Sequence, residues 1–79
     1  MNETVDTYTV IDVETPNRRN NSICSIALVR VENNIIVSKE HYFVNPEDDF
    51  DDLNIKIHHI TKNMVLNKPS FKEIWNLYF

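Results

Sequence analysis

The chain has 79 residues, a formal net charge of −4 and 42% hydrophobic residues. This length allows one domain, which buries only roughly 60% of its unfolded surface, and the composition is that of a globular protein. The acidic balance argues against nucleic-acid binding driven by charge alone, which normally needs a basic surface. We expect no membrane-spanning helix, since no apolar run is long enough, and a single cysteine, Cys24, fits a reducing cytoplasm.

The first predicted element is a strand, from about Tyr8 to Val13, whose end carries two acidic residues. Its first half is apolar or β-branched, a composition typical of strands. Asp12 and Glu14 are two positions apart, so in a strand both carboxylates point to the same face. Like charges this close repel each other unless a cation lies between them, which favours a divalent-metal site. Two solvated acids at the end of a strand are the alternative interpretation.

The loop after this strand, residues 16–21, carries Arg18 and Arg19 beside the acidic motif. We interpret them as exposed side chains that partly neutralise the two carboxylates. Contact with the phosphates of an incoming nucleic-acid strand is the functional alternative.

Two further strands, residues 22–32 and 35–44, are predicted to form a hairpin. The first is apolar on both faces, as a central strand is, and the second carries polar and charged residues in its middle, as a protected edge strand does. The chain has no glycine, so asparagine or aspartate must occupy the positions with positive φ.

The Asn33–Asn34 pair between these strands predicts a type I′ turn, because asparagine tolerates the positive φ that this turn requires. Such a turn sets the register of the hairpin. It places Val31 opposite Ile36 and Val29 opposite Ser38.

Residues 47–52 contain five acidic side chains. They do not fit a calcium-binding loop, because Leu53 falls at a ligand position and the required glycine is absent. We therefore expect a solvated acidic loop anchored by Phe50. The adjacent His58 and His59 are not expected to form a zinc site, because neighbours in an extended chain point apart and further ligands are lacking.

The clearest helix is predicted over residues 70–79. Ser70 followed three positions later by Glu73 forms a capping box. Apolar side chains then recur at helical spacing and predict a face that packs on the sheet: Phe71, Ile74, Trp75, Tyr78 and Phe79.

These segments, in this order and spacing, resemble the DEDD-type 3′–5′ exonucleases, the family of the polymerase III epsilon proofreading subunit. Asp12-x-Glu14-Thr15 resembles the family's first motif, and residues 22–29 resemble its second strand. Val44-Asn45-Pro46-Glu47 is similar to the segment that closes its third strand. Ile57-His58-His59-Ile60-Thr61 is similar to its I-H-G-I-T loop, with His59 where glycine is usual.

The resemblance implies a ribonuclease-H-like α/β fold, with three antiparallel strands in the order 3-2-1 followed by a helix packed on the sheet. It implies hydrolysis of 3′-terminal nucleotides of DNA or RNA with two Mg²⁺ or Mn²⁺ ions. A DNA polymerase is the protein partner that it suggests. Asp12 and Glu14 would be the catalytic metal ligands. Thr15 would bind the terminal nucleotide, and His58 would lie near the substrate or support the loop.

The match runs from about residue 8 to 75 and covers only the first half of the family's domain. The family completes its site with two further aspartates and a histidine or tyrosine from later motifs. We therefore expect residues 1–79 to form a single partial exonuclease domain with half of the metal ligands and no significant activity alone. The alternative is a non-catalytic half-domain that serves as an interaction or assembly module. An in-frame H-N-x-x-F-D stretch in the downstream coding sequence would favour the enzyme.

The resemblance also predicts self-association. Strand one is central in the resembled fold, and the fourth strand that pairs with its second edge lies beyond the match. Tyr8 to Ile11 would then expose unpaired backbone groups without a lysine or proline to protect them. Trp75 and Phe79 would add an apolar patch on the last helix. We expect a homo-oligomer in which strand one pairs with a second copy.

Overall fold

The computed structural model describes residues 6–78, and the side chains of residues 6–77. The described elements are β1 (Thr7–Glu14), β2 (Ser25–Glu32), β3 (Ile35–Phe43), α1 (Asp52–His58), α2 (Lys62–Val65) and α3 (Phe71–Tyr78). None of these helices is long and apolar enough to cross a bilayer. Phe79, which we predicted to close the last helix and to extend its apolar face, lies outside the described residues.

The three strands form one antiparallel sheet with β2 in the middle. This confirms the predicted strand order 3-2-1. β1 pairs with β2 along its whole length, from Thr7 opposite Glu32 to Glu14 opposite Ser25. Within the described part of the chain no strand lies on the other edge of β1, and most of its side chains are exposed.

The turn between β2 and β3 has the predicted backbone conformation, with φ of 52° at Asn33 and 63° at Asn34. Positive φ also occurs at three further described residues that are not glycine, Asn20, Glu47 and His59. Asparagine therefore occupies three of these five positions, as the absence of glycine predicted, whereas glutamate and histidine occupy the other two.

The hairpin register is as predicted only next to the turn. Val31 lies opposite Ile36, but a β-bulge immediately before Val31 shifts the pairing by one residue. Val29 consequently lies opposite Lys39, and the predicted pairing of Val29 with Ser38 is wrong. A turn sets the register only up to the first bulge, and a bulge inserts one unpaired residue into one strand.

One hydrophobic cluster lies between the sheet and α3. It consists of Ile26, Leu28, Val44 and Ile74, with Ile23 and Tyr42 packed against it. The predicted packing of this helix on the sheet is thus confirmed, and it depends on Ile74, which is only 2% exposed. Phe71 and Trp75 contact each other at a centroid distance of 5.9 Å but remain largely exposed, so they are not core residues.

The predicted capping box begins α3. The Glu73 N–H donates to the Ser70 hydroxyl at 3.3 Å, and the Ser70 N–H donates to Glu73 Oε1 at 3.5 Å. These two bonds satisfy backbone donors that a helix start leaves unpaired.

A second hydrophobic cluster consists of Cys24, Ile60 and Val65, with Phe43 and Phe50 packed against it. Phe50 therefore anchors the acidic loop to the core, as predicted. The cluster also fixes the segment between α1 and α2 beneath the end of the sheet, because Ile60 belongs to that segment.

Helix α1 was not predicted from the sequence. Leu53, Ile55 and Ile57 alternate with polar residues, and a period of two is typical of a strand. The helix nevertheless begins after Asp51, which has extended φ and ψ, and ends at His59, whose N–H donates to the Ile55 carbonyl at 2.6 Å. Asp52 lies in the first turn of this helix and Lys56 in its last turn, an order that interacts favourably with the helix dipole.

Candidate active site

The two acidic residues of β1 lie on one face of the sheet. Asp12 pairs with Ala27, and Glu14 pairs with Ser25, so both carboxylates project beside small side chains of β2. Both line a cleft of about 400 Å³ that we call the charged cleft. The remaining lining comes from β2, β3 and the stretch that runs from the end of α1 into α2: Ser25, Ala27, His41, Phe43, His58, His59, Ile60 and Met64.

Two cross-strand rows form the floor of this cleft. One row runs from Asp12 through Ala27 to His41, and the other continues from Ser25 to Phe43. The rings of His41 and Phe43 meet edge to face, with centroids 4.9 Å apart and planes at 89°. The floor therefore has acidic groups on one strand and an aromatic pair on the other, separated by small residues.

The described structure brings His58 into the same cleft as Asp12 and Glu14. Its Nδ1 accepts the Ile60 N–H at 3.0 Å, so the ring hydrogen is on Nε2, which donates to the Thr15 carbonyl at 2.9 Å. Both ring nitrogens are thus occupied by the backbone. His58 holds the α1–α2 segment against the end of β1.

Asn54 makes a second connection between α1 and the motif. Its amide donates to the Thr15 carbonyl at 3.1 Å and to the Thr15 hydroxyl at 3.2 Å. We did not identify this residue from the sequence. Asn54 and His58 are four positions apart and therefore share one helix face, a signal that becomes visible only once the helix is known.

Thr15 itself lies on the other side of the sheet. It lines a second, larger cleft of about 800 Å³, which we call the apolar cleft. The other lining residues include Ile11 and Val13 of β1, Ile26 of β2, Val44 just after β3, and Phe71 and Trp75 of α3. Only its backbone carbonyl and hydroxyl connect it to the residues of α1. Of the four predicted site residues, Asp12, Glu14 and His58 line one cleft, whereas Thr15 lies behind it.

The two arginines after the motif pair with the acidic loop and not with Asp12 and Glu14. Arg18 Nε lies 3.2 Å from Asp51 Oδ2, and Arg19 forms an ion pair with Asp48. The predicted neutralisation of the motif by these arginines is therefore wrong. Their partners lie about thirty residues further along the chain, and no local sequence pattern indicates contact over that distance.

The acidic loop is consequently docked against the rest of the protein and is not simply solvated. Asp48 accepts hydrogen bonds from Asn17 at 3.1 Å and from Ser22 at 2.9 Å. The Asp49 N–H bonded to Asp48 lowers the pKa of that carboxyl to about 2, and the bonds from Asn17 and Ser22 and the charge of Arg19 act in the same direction against desolvation. Asp48 is thus ionised across the physiological range and holds two loops together.

Cys24 is a buried thiol that also contacts the motif. Its N–H donates to the Glu14 carbonyl at 2.8 Å, and its Sγ lies 3.5 Å from the same oxygen. Burial raises the pKa of this thiol to about 11, the negative charge of Glu14 adds to the increase, and a backbone hydrogen bond opposes it. A protonated, buried thiol is a poor nucleophile, so we interpret Cys24 as a structural residue.

The residues of the charged cleft fit part of a divalent-metal site. Asp12 and Glu14 supply the carboxylate oxygens that Mg²⁺ and Mn²⁺ prefer. No group of three metal-ligating side chains comes together among the described residues. The two carboxylates therefore account for part of a ligand set.

Comparison with known proteins places this geometry in a family. The RNase T model, described as an exonuclease, matches residues 9–78. DNA polymerase III of the PolC type from Staphylococcus aureus is 37% identical in strain bovine RF122 / ET3-1 and 36% identical in strain MW2, in each case over 70 residues. These alignments cover 86% of the chain and 5% of the polymerase.

A solved structure has the same fold. Exonuclease X in complex with 5′ overhanging duplex DNA superposes with a TM-score of 0.81 at 31% identity. The superposition covers 90% of this chain and 42% of that one. The chain thus spans less than half of the length of the relatives it matches, and it belongs to the DEDD-type exonuclease family with a ribonuclease-H-like fold.

Proposed function

We propose that this chain contributes the first half of a metal-dependent 3′–5′ exonuclease site. The observation that carries the proposal is that Asp12 and Glu14, the acidic pair of an exonuclease-family motif, line one cleft beside the segment that holds His58. Mg²⁺ or Mn²⁺ bound there would supply an activated water and neutralise charge on the phosphodiester.

Each of the four candidate site residues has a defined part in this proposal. Asp12 and Glu14 would hold the cations, and their position at the end of a strand that pairs with β2 along its whole length keeps the two carboxylates close together. His58 is a positioning residue, since both of its ring nitrogens are bonded to the backbone. Thr15 binds the terminal nucleotide only if its environment changes, because its carbonyl and hydroxyl already accept hydrogen bonds from α1.

The proposed substrate is the 3′ end of a DNA or RNA strand. Two similar proteins favour DNA: one is described as a DNA polymerase III, and the other is an exonuclease in complex with DNA. The similarity to a polymerase also favours association of this domain with a DNA polymerase. A direct comparison of 3′-labelled DNA and RNA oligonucleotides, tested with the complete domain, distinguishes the two substrates.

The metal site is tested by adding Mn²⁺ to the ¹⁵N-labelled chain. We expect the amide signals of residues 12–15 to broaden first, because a paramagnetic ion broadens the nuclei closest to it. An Asp12→Asn, Glu14→Gln variant should lose this effect and bind Mn²⁺ at least about tenfold more weakly, the lower end of what metal sites lose when even a supporting residue is removed.

A matched control comes from the other acidic segment. An Asp49→Asn, Asp52→Asn variant removes the same number of charges from exposed residues and should leave the broadening at residues 12–15 unchanged. Broadening centred on residues 48–52 in the native chain would assign the metal to the acidic loop and refute the proposal.

We further propose that the 79 residues alone have no significant exonuclease activity. Two carboxylates do not hold two cations in register, and His58 has no free ring nitrogen with which to act as a general base. Degradation of a 3′-labelled oligonucleotide by the purified chain with Mn²⁺, lost in Asp12→Ala, would contradict this.

A second candidate function is assembly, and the exposed edge of β1 favours it. Ile11 and Val13 on this strand are exposed and line the apolar cleft. Pairing of β1 with a second copy would cover both the edge and part of the cleft. A homo-oligomer that binds neither Mn²⁺ nor nucleotides would support this candidate over the first.

A further inference from the structure

His59 has an unfavourable backbone conformation next to the charged cleft. Its φ of 62° and ψ of 18° lie in the left-handed region, which is costly for a residue with a side chain. The conformation closes α1, because the His59 N–H donates to the Ile55 carbonyl at 2.6 Å. Glycine adopts this conformation more easily, because it has no Cβ.

The position of His59 relative to the motif is fixed by its neighbours. The His58 ring joins the Thr15 carbonyl to the Ile60 N–H, and the side chain of Ile60 is buried in the second hydrophobic cluster. The residues on both sides of His59 are therefore held against the end of β1. His59 lines the charged cleft together with Asp12 and Glu14, and its backbone is held there by these neighbours.

The cleft beside His59 has the size and composition of a nucleoside site. Its volume of about 400 Å³ lies within the range of roughly 300–1,000 Å³ that is typical of small-molecule pockets. The carboxylates of β1 and the His41–Phe43 pair of β3 are separated by two strand spacings, about 10 Å. Ser25 and Ala27 between them leave space above the sheet.

The imidazole of His59 is exposed, and no hydrogen bond from another described residue reaches it. Met64 and Ile60 line the same side of the cleft, so this wall combines apolar groups with one flat ring. Such a wall suits a nucleobase, which stacks on aromatic rings and packs against apolar side chains. The phosphate of the same nucleotide would lie at the acidic side of the cleft, where a divalent cation would neutralise both the phosphate and the carboxylates.

We propose that His59 is a specificity-determining residue that contacts the base of the mononucleotide held in the charged cleft. This inference rests on the proposed function, because Asp12 and Glu14 would hold the cation that neutralises the phosphate. In this proposal the base lies on the His59 side of the cleft, and the exposed ring of His41, on β3, faces it.

The experiment is a titration of the 79-residue chain with thymidine 5′-monophosphate at saturating Mg²⁺, followed by amide chemical shifts. His59→Gly should reduce the affinity by about tenfold, the order expected for the loss of one stacking side chain. The thermal midpoint of this variant should not fall, because glycine adopts the left-handed conformation without a steric cost. His59→Asn, which also tolerates this conformation but lacks the ring, should show the same loss of affinity.

Glu47 provides the matched control. It is exposed, has a φ of 52° and lies outside the charged cleft. Glu47→Gly relieves the same kind of backbone strain, so its effect on the thermal midpoint should resemble that of His59→Gly. Its affinity for thymidine 5′-monophosphate should equal that of the native chain.

Equal or tighter nucleotide binding by both His59→Gly and His59→Asn would overturn the inference and leave the proposed function intact. If the native chain binds Mn²⁺ at residues 12–15 but no nucleotide, the base contact is also refuted, and the metal site stands. If neither ligand binds, the proposed function fails together with the inference.

Discussion

The two faces of β1 serve two clefts of opposite character. On one face Asp12 and Glu14 line the charged cleft, and on the other Ile11 and Val13 line the apolar cleft. The charged cleft is bordered by a segment that hydrogen bonds hold to the motif. The apolar cleft is bordered by exposed aromatic side chains of α3, whose packing on the sheet depends on Ile74. Alternation along a single strand thus separates the proposed metal site from an incompletely covered hydrophobic surface.

This difference teaches where binding and stability reside in the chain. A binding site needs side chains that are held in place but whose polar atoms are not already bonded within the protein. Among the described residues, Asp12 and Glu14 meet this condition. A hydrophobic surface is stabilised by being covered, and Ile11, Val13 and Trp75 are still exposed. We therefore expect substitutions on the charged face to change ligand binding, and substitutions on the apolar face to change stability and association.

The largest effect on stability is expected for Ile74→Ala. Removal of this buried side chain should lower the free energy of unfolding by about 2–5 kcal/mol, because it leaves a cavity between α3 and the sheet. Leu77→Ala on the same helix is the control, since Leu77 is 75% exposed and its loss should change stability by less than about 0.5 kcal/mol. Urea denaturation followed by circular dichroism measures both, and similar effects of the two variants would contradict the proposed packing of α3.

The next largest effect is expected for His58→Ala. This change leaves the Ile60 N–H without its partner and should cost about 1–3 kcal/mol in free energy of unfolding. Its effect on Mn²⁺ affinity should be small, because His58 positions the segment and does not bind the cation. His41→Ala is the control from the same cleft. Because His41 is exposed, this change should lower the free energy of unfolding less than His58→Ala does. A loss of Mn²⁺ binding by His58→Ala with unchanged stability would instead make this histidine a ligand.

Self-association through β1 is expected to be weaker in Ile11→Lys by about tenfold, since a lysine on an edge strand opposes pairing with another chain. Ile36→Lys on the opposite edge is the control: Ile11 is 57% and Ile36 is 54% exposed. β3 already carries Lys39 and Glu40, so this variant should not affect association. Sedimentation equilibrium over a range of concentrations measures the effect, and a native chain that remains monomeric at ~100 µM would refute pairing through β1.

The smallest effect is expected for Asp48→Asn and depends on pH. Because hydrogen bonds hold the pKa of Asp48 at about 2, below its value in the unfolded chain, its stabilising contribution is complete above pH ~4. It is lost as the pH falls from there to about 2. The thermal midpoint of the native chain should therefore fall more steeply over this interval than that of Asp48→Asn, by a few degrees at most.

Asp49→Asn serves as the control for this pH dependence. Asp49 is the exposed neighbour of Asp48, and its side chain makes none of the hydrogen bonds that hold the two loops together. This variant should retain the steeper fall of the native chain. An equal change in both variants would indicate a general effect of net charge.

Local sequence patterns predicted much of the fold. The Asn33–Asn34 turn, the Ser70 capping box and the alternation in β1 each act over a few residues, and all three are present in the structure. α1 was missed because its apolar residues alternate as in a strand, although its polar residues Asn54 and His58 share one helix face. The β-bulge was missed because nothing near the turn specifies where a strand gains an extra residue.

The sequence by itself therefore determined the family, the strand order and the acidic pair, since each depends on residue type and short spacing. Only the tertiary structure decided that Arg18 and Arg19 bind the acidic loop, that His58 is bonded to Thr15, and that His59 lines the cleft in a left-handed conformation. Thr15 and His58 are 43 positions apart. A hydrogen bond over that separation forms only after the sheet and α1 have brought its two ends together, and no local pattern encodes that geometry.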